Sequence, residues 1–314
     1  MNYIQQAFKA KHEWWRYAIG ILIIIAGTVI GQLPFTAAIL LKGGPDILNM
    51  TEAEMMRVLE SNLSFFLLLL SFAVGLAAVF LVIRLLHSQK IIEATTARKK
   101  VDWGRFFFGF GLVAMFTIVS TIIDYNLRPE DFIWNFKVVP FLIMAVIAIV
   151  MVPLQTSFEE YLFRGYLMQG LGVLSRNRWF PLIVTSLIFG SLHLWNPEVD
   201  KLGYTIMVYY IGTGLLLGIM TLMDEGMELA LGFHAGNNLV GAMLVTADWT
   251  AFQTNSILKD VSEPEGGMQI VIPVLIVYPL FLFIMAKTYR WRNWRSKLFG
   301  KVTPPETLNI SEEI

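Results

Sequence analysis

The sequence predicts an all-α fold, a polytopic bundle of about eight transmembrane helices with both termini in the cytoplasm. Composition is the first indication, because 56% of the 314 residues are hydrophobic, 15% are charged and the mean hydropathy is +0.61. Such a chain is too apolar for an ordinary soluble domain. The second is a series of apolar segments near the roughly 20 helical residues that cross a hydrocarbon core. The third is the uneven placement of Lys and Arg.

The apolar segments follow one another along the chain and are separated by short polar connections. The fourth segment is expected to continue as helix past two glutamates toward Gly170. The connections at 42–62, 84–105 and 248–268 are too short for a second globular domain, so 1–314 is expected to form a single membrane domain. The predicted spans are 18–41, 63–86, 106–124, 138–158, 180–196, 204–223, 226–247 and 269–289.

The basic residues set the predicted orientation, because Lys and Arg are retained on the cytoplasmic side of a membrane. With a cytoplasmic N-terminus, 18 of the 24 Lys and Arg residues fall inside. The cytoplasmic tail 290–314 begins with a basic stretch interleaved with Trp291 and Trp294, which is typical of an anchor at an anionic leaflet. The six basic residues predicted outside are Lys42, Arg57, Arg128, Lys137, Lys201 and Lys259.

Several absences bound the possible functions. The chain has no cysteine, which excludes disulfides, thiolate metal sites and cysteine nucleophiles. The first apolar segment is too long for a signal-peptide core and is expected to be a retained anchor. Together with compact loops and no organelle signal, these features favour a bacterial inner (plasma) membrane. Membrane lipids are expected partners, whereas nucleic acid is not.

Charged residues at the end of the fourth span are the first candidates for function. Glu159, Glu160 and Arg164 follow an almost uncharged apolar run, and a charge at the centre of a membrane helix costs about 2.5–3.5 kcal/mol. Glu160 and Arg164 lie at i and i+4, which favours an ion pair within the helix. Glu159 points about 100° away and is expected to face a different partner. Glu159 is therefore the better catalytic candidate.

Two other apolar segments carry polar residues at helical spacing. Phe189 and His193 lie at i and i+4 in the fifth predicted span, so the Phe189 ring is expected to form a wall beside the imidazole. His234 and Asn238 have the same spacing in the seventh, and Asn237 is expected to bridge helices. These groups are tolerated within a membrane only where they line a cavity.

The expected depths of these groups agree. At 1.5 Å per residue from the predicted cytoplasmic helix ends, Glu159 lies about 17 Å deep, His193 about 18 Å and His234 about 12 Å. The three helices are therefore expected to meet in one cavity that opens inward.

A carboxylate, two imidazoles and a carboxamide in such a cavity suit hydrolysis. Glu159 would take a proton from a water molecule that His193 helps to position and activate, and would return it to the leaving amine. His234 and Asn238 can both donate hydrogen bonds to a developing oxyanion. This set describes peptide-bond hydrolysis without a covalent intermediate.

Three motifs carry a resemblance to a known family. EEYLFR at 159–164 resembles EExxxR, FGSLH at 189–193 resembles FxxxH, and HAGNN at 234–238 resembles HxxxN of the type II CAAX prenyl endopeptidases, also called the CPBP or Abi family. The resemblance covers about 155–240, within a motif-bearing core at about 138–247. It implies an intramembrane glutamate-dependent endopeptidase that acts on lipid-modified or membrane-bound protein or peptide substrates. The implied catalytic residues are Glu159, His193, His234 and Asn238, and the supporting residues are Glu160, Arg164 and Phe189.

Other functions and chemistries remain open. No cofactor is expected, although Glu159, His193 and His234 are a set that could bind zinc. HEWWR at 12–16 has Arg16 where a zinc helix needs its second His, and no GxSG or GxGD motif lies on an apolar segment. A non-proteolytic scaffold or immunity protein is one alternative function. A proton-coupled transporter is another, but the two related halves with broken helices that it predicts are not seen.

Overall fold

The computed structural model describes residues 1–264 and 266–305 and confirms the predicted all-α helix bundle. The end of the predicted basic tail, 306–314, lies outside the described residues. Short helical turns occur at Ile4–Lys9, Gly44–Asn49 and Glu52–Met55. The remaining helices are α1 (Trp14–Gly43), α2 (Ser61–Leu86), α3 (Ile91–Thr95), α4 (Trp103–Leu127), α5 (Val138–Ser175), α6 (Trp179–Ser191), α7 (Pro197–Asp224), α8 (Glu228–Leu244), α9 (Met268–Thr288) and α10 (Trp294–Phe299).

Six of the described helices, α1, α2, α4, α5, α7 and α9, are long and apolar enough to cross a membrane. The other two predicted spans form shorter helices. α6 has 13 residues, so the helix predicted over 180–196 ends early, and α8 has 17 residues within the predicted 226–247. Eight crossings and two cytoplasmic termini remain predictions.

The length of α5 confirms that the fourth span continues past its glutamates. The helix has 38 residues, which corresponds to about 57 Å at 1.5 Å per residue. Its stretch Tyr161–Met168 is π-helical and begins directly after Glu160. Short π-helical stretches within α-helices are frequent at functional sites.

Helix ends are defined by local residue chemistry. The Asp102 carboxylate accepts a hydrogen bond from the Arg105 backbone N–H at the start of α4, and the Glu60 carboxylate accepts one from Leu63 at the start of α2. Such side chains satisfy amide groups that have no partner within the helix. α5 and α7 end at Arg176 and Glu225, both in the left-handed conformation that closes many helices.

α8 packs against α4 so closely that the contact requires glycine. A Cβ atom on Gly232 would overlap the carbonyl oxygen of Phe106, and one on Gly236 would lie 2.8 Å from the carbonyl oxygen of Phe110. Small residues allow membrane helices to approach in this way. Because His234 lies between the two glycines, this contact also fixes its position in the bundle.

The connections between helices lie at two ends of the bundle. The basic end consists of 1–13, 87–102, 176–178, 225–227 and 289–305. Within it, the Arg178 side chain contacts Glu225, and the Arg178 N–H donates to the Gly300 carbonyl oxygen. The sheet end consists of 44–60, 128–137, 192–205 and 245–264.

A small β-sheet at the sheet end is the one element class that the sequence does not predict. Strands β1 (Phe132–Trp134), β2 (Val245–Ala247) and β3 (Leu258–Asp260) form a sheet of order β1-β3-β2, with β1 antiparallel and β2 parallel to β3. Three residues are too few for an alternating pattern to be recognised. The Ala251 backbone N–H donates to the Glu198 carboxylate, so the connection between β2 and β3 is held over the helix ends.

Candidate active site

Glu160 and Arg164 form a buried ion pair within α5, as their spacing predicts. Arg164 Nη1 lies 2.9 Å from Glu160 Oε1, and Arg164 Nη2 donates to the Gly214 carbonyl oxygen on α7 at 2.9 Å. The guanidinium carbon lies 4.9 Å from the centroid of the Phe189 ring on α6. The ion pair therefore connects three helices at one level of the bundle.

His234 on α8 contacts both glutamates. Its Nδ1 lies 2.8 Å from Glu160 Oε1, and its Nε2 lies 3.3 Å from Glu159 Oε2. The ion pair with Arg164 requires Glu160 as a carboxylate, which can only accept, so His234 Nδ1 donates. The expectation that the two glutamates face different partners therefore needs correction, because adjacent carboxyl groups converge on opposite edges of one imidazole. Glu159 Oε2 and His234 Nε2 face each other within ion-pair distance.

A chain of side-chain amides continues from Glu159 to α8. Gln155 Nε2 donates to Glu159 Oε1 at 2.7 Å, and Asn238 Nδ2 donates to Gln155 Oε1 at 3.1 Å. Asn237 Nδ2 donates to Asn238 Oδ1 at 3.1 Å, and the Asn237 side chain also hydrogen-bonds Tyr209 on α7. This second contact agrees with the predicted bridging of helices by Asn237. Both Glu159 oxygens are thus held by neighbouring side chains.

His193 lies two residues beyond the end of α6, in the turn that leads to α7 rather than within a helix. Its Nδ1 lies 2.8 Å from the Phe189 carbonyl oxygen, so Nδ1 donates and Nε2 carries the lone pair. The imidazole stacks on Tyr210 with ring centroids 4.3 Å apart. The Phe189 ring lies beside it at 4.9 Å, as predicted, and also contacts the His234 ring at 6.1 Å.

Glu159, His193, His234 and Asn238 line one cavity of about 940 Å³. Most of the remaining wall is apolar or aromatic, so the polar groups form one patch in a hydrophobic chamber. Among the described residues, no direct hydrogen bond joins Glu159 to His193, because Glu159 contacts Gln155 and His234 whereas His193 contacts Phe189. The predicted residues therefore share one space, but they belong to two separate hydrogen-bonded groups.

The cavity extends toward the sheet end, which is the end opposite to the one from which the sequence-based depths were counted. Whether this end faces the cytoplasm depends on the predicted orientation of the termini. Met56, Asn196 and Thr250, all from connections at the sheet end, contribute to its wall. The described connections at the basic end contribute none of its lining. A depth counted along one helix gives the distance of a group from that helix end. It does not show at which end of the bundle other segments pack and close the cavity.

The possible zinc set does not come together as a metal site. The described residues contain no group of three His, Asp or Glu side chains arranged to hold a metal ion. Glu159 and His234 contact each other directly, and the Phe189 ring packs against both His193 and His234.

Two contributors to the site are absent from the sequence-based prediction. Gln155 precedes Glu159 by four residues in an apolar helix, so the spacing argument that identified Arg164 could also have found it. Tyr210 stacks on His193 across two segments. No spacing within one helix indicates that contact.

Comparisons with known proteins agree with the motifs. Residues 137–240 match the family model described as Type II CAAX prenyl endopeptidase Rce1-like, and this segment contains every predicted site residue. The chain is also 28% identical over 250 residues to the uncharacterized protein YyaK of Bacillus subtilis (strain 168). That similarity covers 78% of this chain and 83% of YyaK. The resemblance seen in the motifs is confirmed, and the protein is an integral multi-pass membrane protein.

Proposed function

Residues 137–240 resemble the Rce1-like type II CAAX prenyl endopeptidases, and from this match and the site geometry we propose that the protein is an intramembrane glutamate-dependent endopeptidase. The family match supports a CAAX-type intramembrane protease as the broad class. The proposed substrates are membrane-associated or prenylated CAAX-type polypeptides. The proposed location is a bacterial inner (plasma) membrane.

One observation carries the proposal: the Glu159 carboxyl is held at both oxygens while it lines a large cavity. Gln155 contacts one oxygen and His234 the other, so the side chain has a fixed orientation in a largely apolar chamber. A fixed carboxylate in low-dielectric surroundings is suited to act as a general base. The adjacent Glu160 is instead occupied by Arg164 and His234.

In the proposed reaction, Glu159 removes a proton from water as the water oxygen attacks the scissile carbonyl carbon. The tetrahedral intermediate then collapses, the C–N bond breaks, and the proton passes from Glu159 to the leaving nitrogen. His193 accepts a hydrogen bond from the same water at Nε2. The contact between His193 Nδ1 and the Phe189 carbonyl oxygen supports this role, because it leaves the Nε2 lone pair available.

The oxyanion of the intermediate is assigned to His234 and Asn238. Each amide nitrogen of Asn carries two hydrogens, so Asn238 Nδ2 retains one donor beyond its bond to Gln155. His234 Nε2 can donate to the oxyanion when the imidazole carries a proton at both nitrogens. Glu160 and Arg164 orient His234 from the opposite side of the ring.

The direct test uses purified protein in detergent and a quenched farnesylated CAAX peptide. Glu159→Gln and His193→Ala are compared with the intact protein and with Glu130→Gln, a control at an exposed glutamate in the sheet end. We expect cleavage by the intact protein and by the control, and loss of cleavage in the two site variants. Each reaction is repeated with a chelator, and unchanged cleavage would support a metal-free mechanism.

The variants also separate a protease from a scaffold or immunity protein. Glu159→Gln keeps the size of the side chain and one acceptor oxygen while it removes the charge, so the variant is expected to fold. Continued proteolysis by folded Glu159→Gln protein would contradict the mechanism. No cleavage of any membrane peptide by the intact protein would favour the non-enzymatic alternative.

A further inference from the structure

The cavity that contains Glu159 approaches only one end of the bundle. Its lining positions on the helices lie in their middle parts or toward the sheet end, and Asn196 and Thr250 continue the wall into the connections there. Gly241 lines the cavity on α8 between Asn238 and the sheet end. The cavity therefore provides a route to Glu159 from the sheet end.

The opposite route is closed by the N-terminal segment and α3. Tyr3 is fully buried, and its hydroxyl donates to the Ala94 carbonyl oxygen at 2.6 Å and lies 3.1 Å from the Arg164 carbonyl oxygen. The Thr95 and Tyr161 hydroxyl groups lie 2.7 Å apart. These contacts place packed side chains directly beneath the Glu160–Arg164 ion pair.

A second layer of ionic contacts reinforces this closure. Arg98 contacts Asp224 at 2.8 Å and Glu228 at 3.0 Å, and Arg105 also pairs with Asp224. Asp224 and Glu228 are buried, although their positions near helix ends predict interfacial residues. The Tyr3 backbone N–H donates to the Glu225 carboxylate at 2.6 Å, so the N-terminus is tied into this layer.

Charge distinguishes the two ends. Of the 24 Lys and Arg residues, 17 lie in the basic end or in the terminal turns of helices that reach it, six lie at the sheet end, and Arg164 is buried within α5. Such an asymmetry indicates that the basic end is cytoplasmic. The open end of the cavity then faces away from the cytoplasm.

We propose that substrates reach Glu159 from the extracytoplasmic face, as polypeptide segments attached to or inserted in the outer leaflet. The inference rests on the proposed function and narrows its substrate class. Ile25, Val29 and Phe116 line the cavity on the membrane-spanning helices α1 and α4 and are 54%, 55% and 39% exposed, which suits a chamber that receives apolar, membrane-attached substrates. A prenylated C-terminus held at the cytoplasmic leaflet would meet the closed end instead.

The absence of cysteine makes this route directly measurable. Single cysteines are introduced as Gly241→Cys in the cavity, Asp200→Cys at the sheet end and Lys100→Cys at the basic end. A Cβ atom on Gly241 would meet no atom within 4 Å, so this variant preserves the packing of the cavity wall. Leu192→Cys, at a second cavity-lining position that is 56% exposed, provides an independent probe.

Cells that express each variant are treated with a membrane-impermeant maleimide before and after permeabilisation. We expect labelling of Asp200→Cys, Gly241→Cys and Leu192→Cys in intact cells, and of Lys100→Cys only after permeabilisation. Labelling of the two cavity positions only after permeabilisation, or in neither condition, would overturn the proposal. Labelling of Lys100→Cys but not Asp200→Cys in intact cells would overturn it as well, because the orientation would be reversed.

This experiment is independent of catalysis. The labelling is repeated in a Glu159→Gln background, where the cavity walls are retained and peptide hydrolysis is expected to be lost. Unchanged labelling shows that the probe reports access rather than turnover. Cleavage in detergent without outside labelling would refute the route alone, whereas outside labelling without cleavage of any membrane peptide would refute the proposed enzyme alone.

Discussion

Gln155 holds Glu159 from one helical turn earlier on α5, with its Nε2 donating to Glu159 Oε1 at 2.7 Å. The same amide accepts a hydrogen bond from Asn238 on α8, so one side chain positions groups from two helices. Because Gln155 is 3% exposed, water cannot readily replace it. Its carboxamide therefore couples the orientation of the proposed base to that of a proposed oxyanion donor.

Replacing Gln155 with leucine should reduce kcat while KM changes little. The variant leaves a Glu159 oxygen and the Asn238 amide without a buried partner, which costs about 1–3 kcal/mol. Applied to the transition state, this cost slows cleavage about 5- to 160-fold. Steady-state cleavage of the quenched peptide measures both constants. Gln32→Leu on α1 makes the same exchange away from the cavity lining and should leave kcat unchanged.

Replacing one partner of the buried Glu160–Arg164 ion pair should destabilise the fold more than replacing both partners. Glu160→Gln or Arg164→Met alone leaves an unpaired charge among packed helices and should cost about 3–5 kcal/mol. The double variant should cost less than the sum of the single changes, because no lone charge remains. The measurement is the thermal unfolding temperature in detergent of the unchanged protein, the two single variants and the double variant.

The matched control for this pair is Glu13→Gln at the start of α1. Glu13 contacts Arg16 at 2.7 Å but is 52% exposed, so solvent screens the pair and its loss should change the unfolding temperature far less. Equal destabilisation by Glu13→Gln and Glu160→Gln would contradict the importance assigned to burial.

Tyr210 should support His193 through its ring rather than its hydroxyl. The ring stacks on the imidazole at 4.3 Å, whereas the hydroxyl makes only a 3.4 Å contact with Asn196. Tyr210→Phe should therefore retain most of the cleavage, and Tyr210→Leu should lose roughly tenfold, the effect of about 1.4 kcal/mol on a barrier. The kcat values of the two variants relative to the unchanged protein test this prediction. Equal activities in Tyr210→Phe and Tyr210→Leu would argue against a stacking role.

Acid should destabilise the bundle through His87. Burial lowers the pKa of this imidazole, which lies 2.6 Å from the Lys11 carbonyl oxygen and 3.1 Å from the Tyr166 hydroxyl. The folded protein thus favours the neutral ring, so the contribution to stability is present above the unfolded pKa of about 6.5 and is lost as pH falls through the lower folded value.

The measurement is the unfolding temperature in detergent between about pH 7.5 and 5. We expect a decrease toward acid pH that is smaller in His87→Asn. His12→Asn, at the other histidine of the basic end, removes only the smallest contribution to the lowered His87 pKa, so most of the decrease should remain. An unchanged pH dependence in His87→Asn would assign the effect to another group.

The sequence predicts the parts of this protein that arise within single helices. The pairing of Glu160 with Arg164 follows from 3.6 residues per turn, and the apolar segments follow from the thickness of a bilayer. The placement of the Phe189 ring beside His193 follows from the same spacing. These relationships need no knowledge of neighbouring segments.

Features that depend on packing between segments could not be predicted in this way. The stack of Tyr210 on His193 joins α7 to the turn that follows α6, and the β-sheet has strands of only three residues. The direction of the cavity depends on Tyr3, a single residue before the first span that enters the bundle through tertiary contacts. The hydrophobic pattern of the N-terminal segment gives no indication that Tyr3 is buried inside the bundle.

Tyr3 and α3 also have a consequence for membrane energetics. In the proposed route, the chamber reaches Glu159 from one side, and the packed layer of Tyr3 and α3 is the barrier to ion flow across the bilayer. Deletion of residues 1–10 would remove the Tyr3 contacts and should make the protein a leak for protons as well as a protease. Reconstituted liposomes with an imposed pH gradient should then discharge faster with the truncated chain than with the full chain, even when Glu159→Gln has stopped peptide hydrolysis.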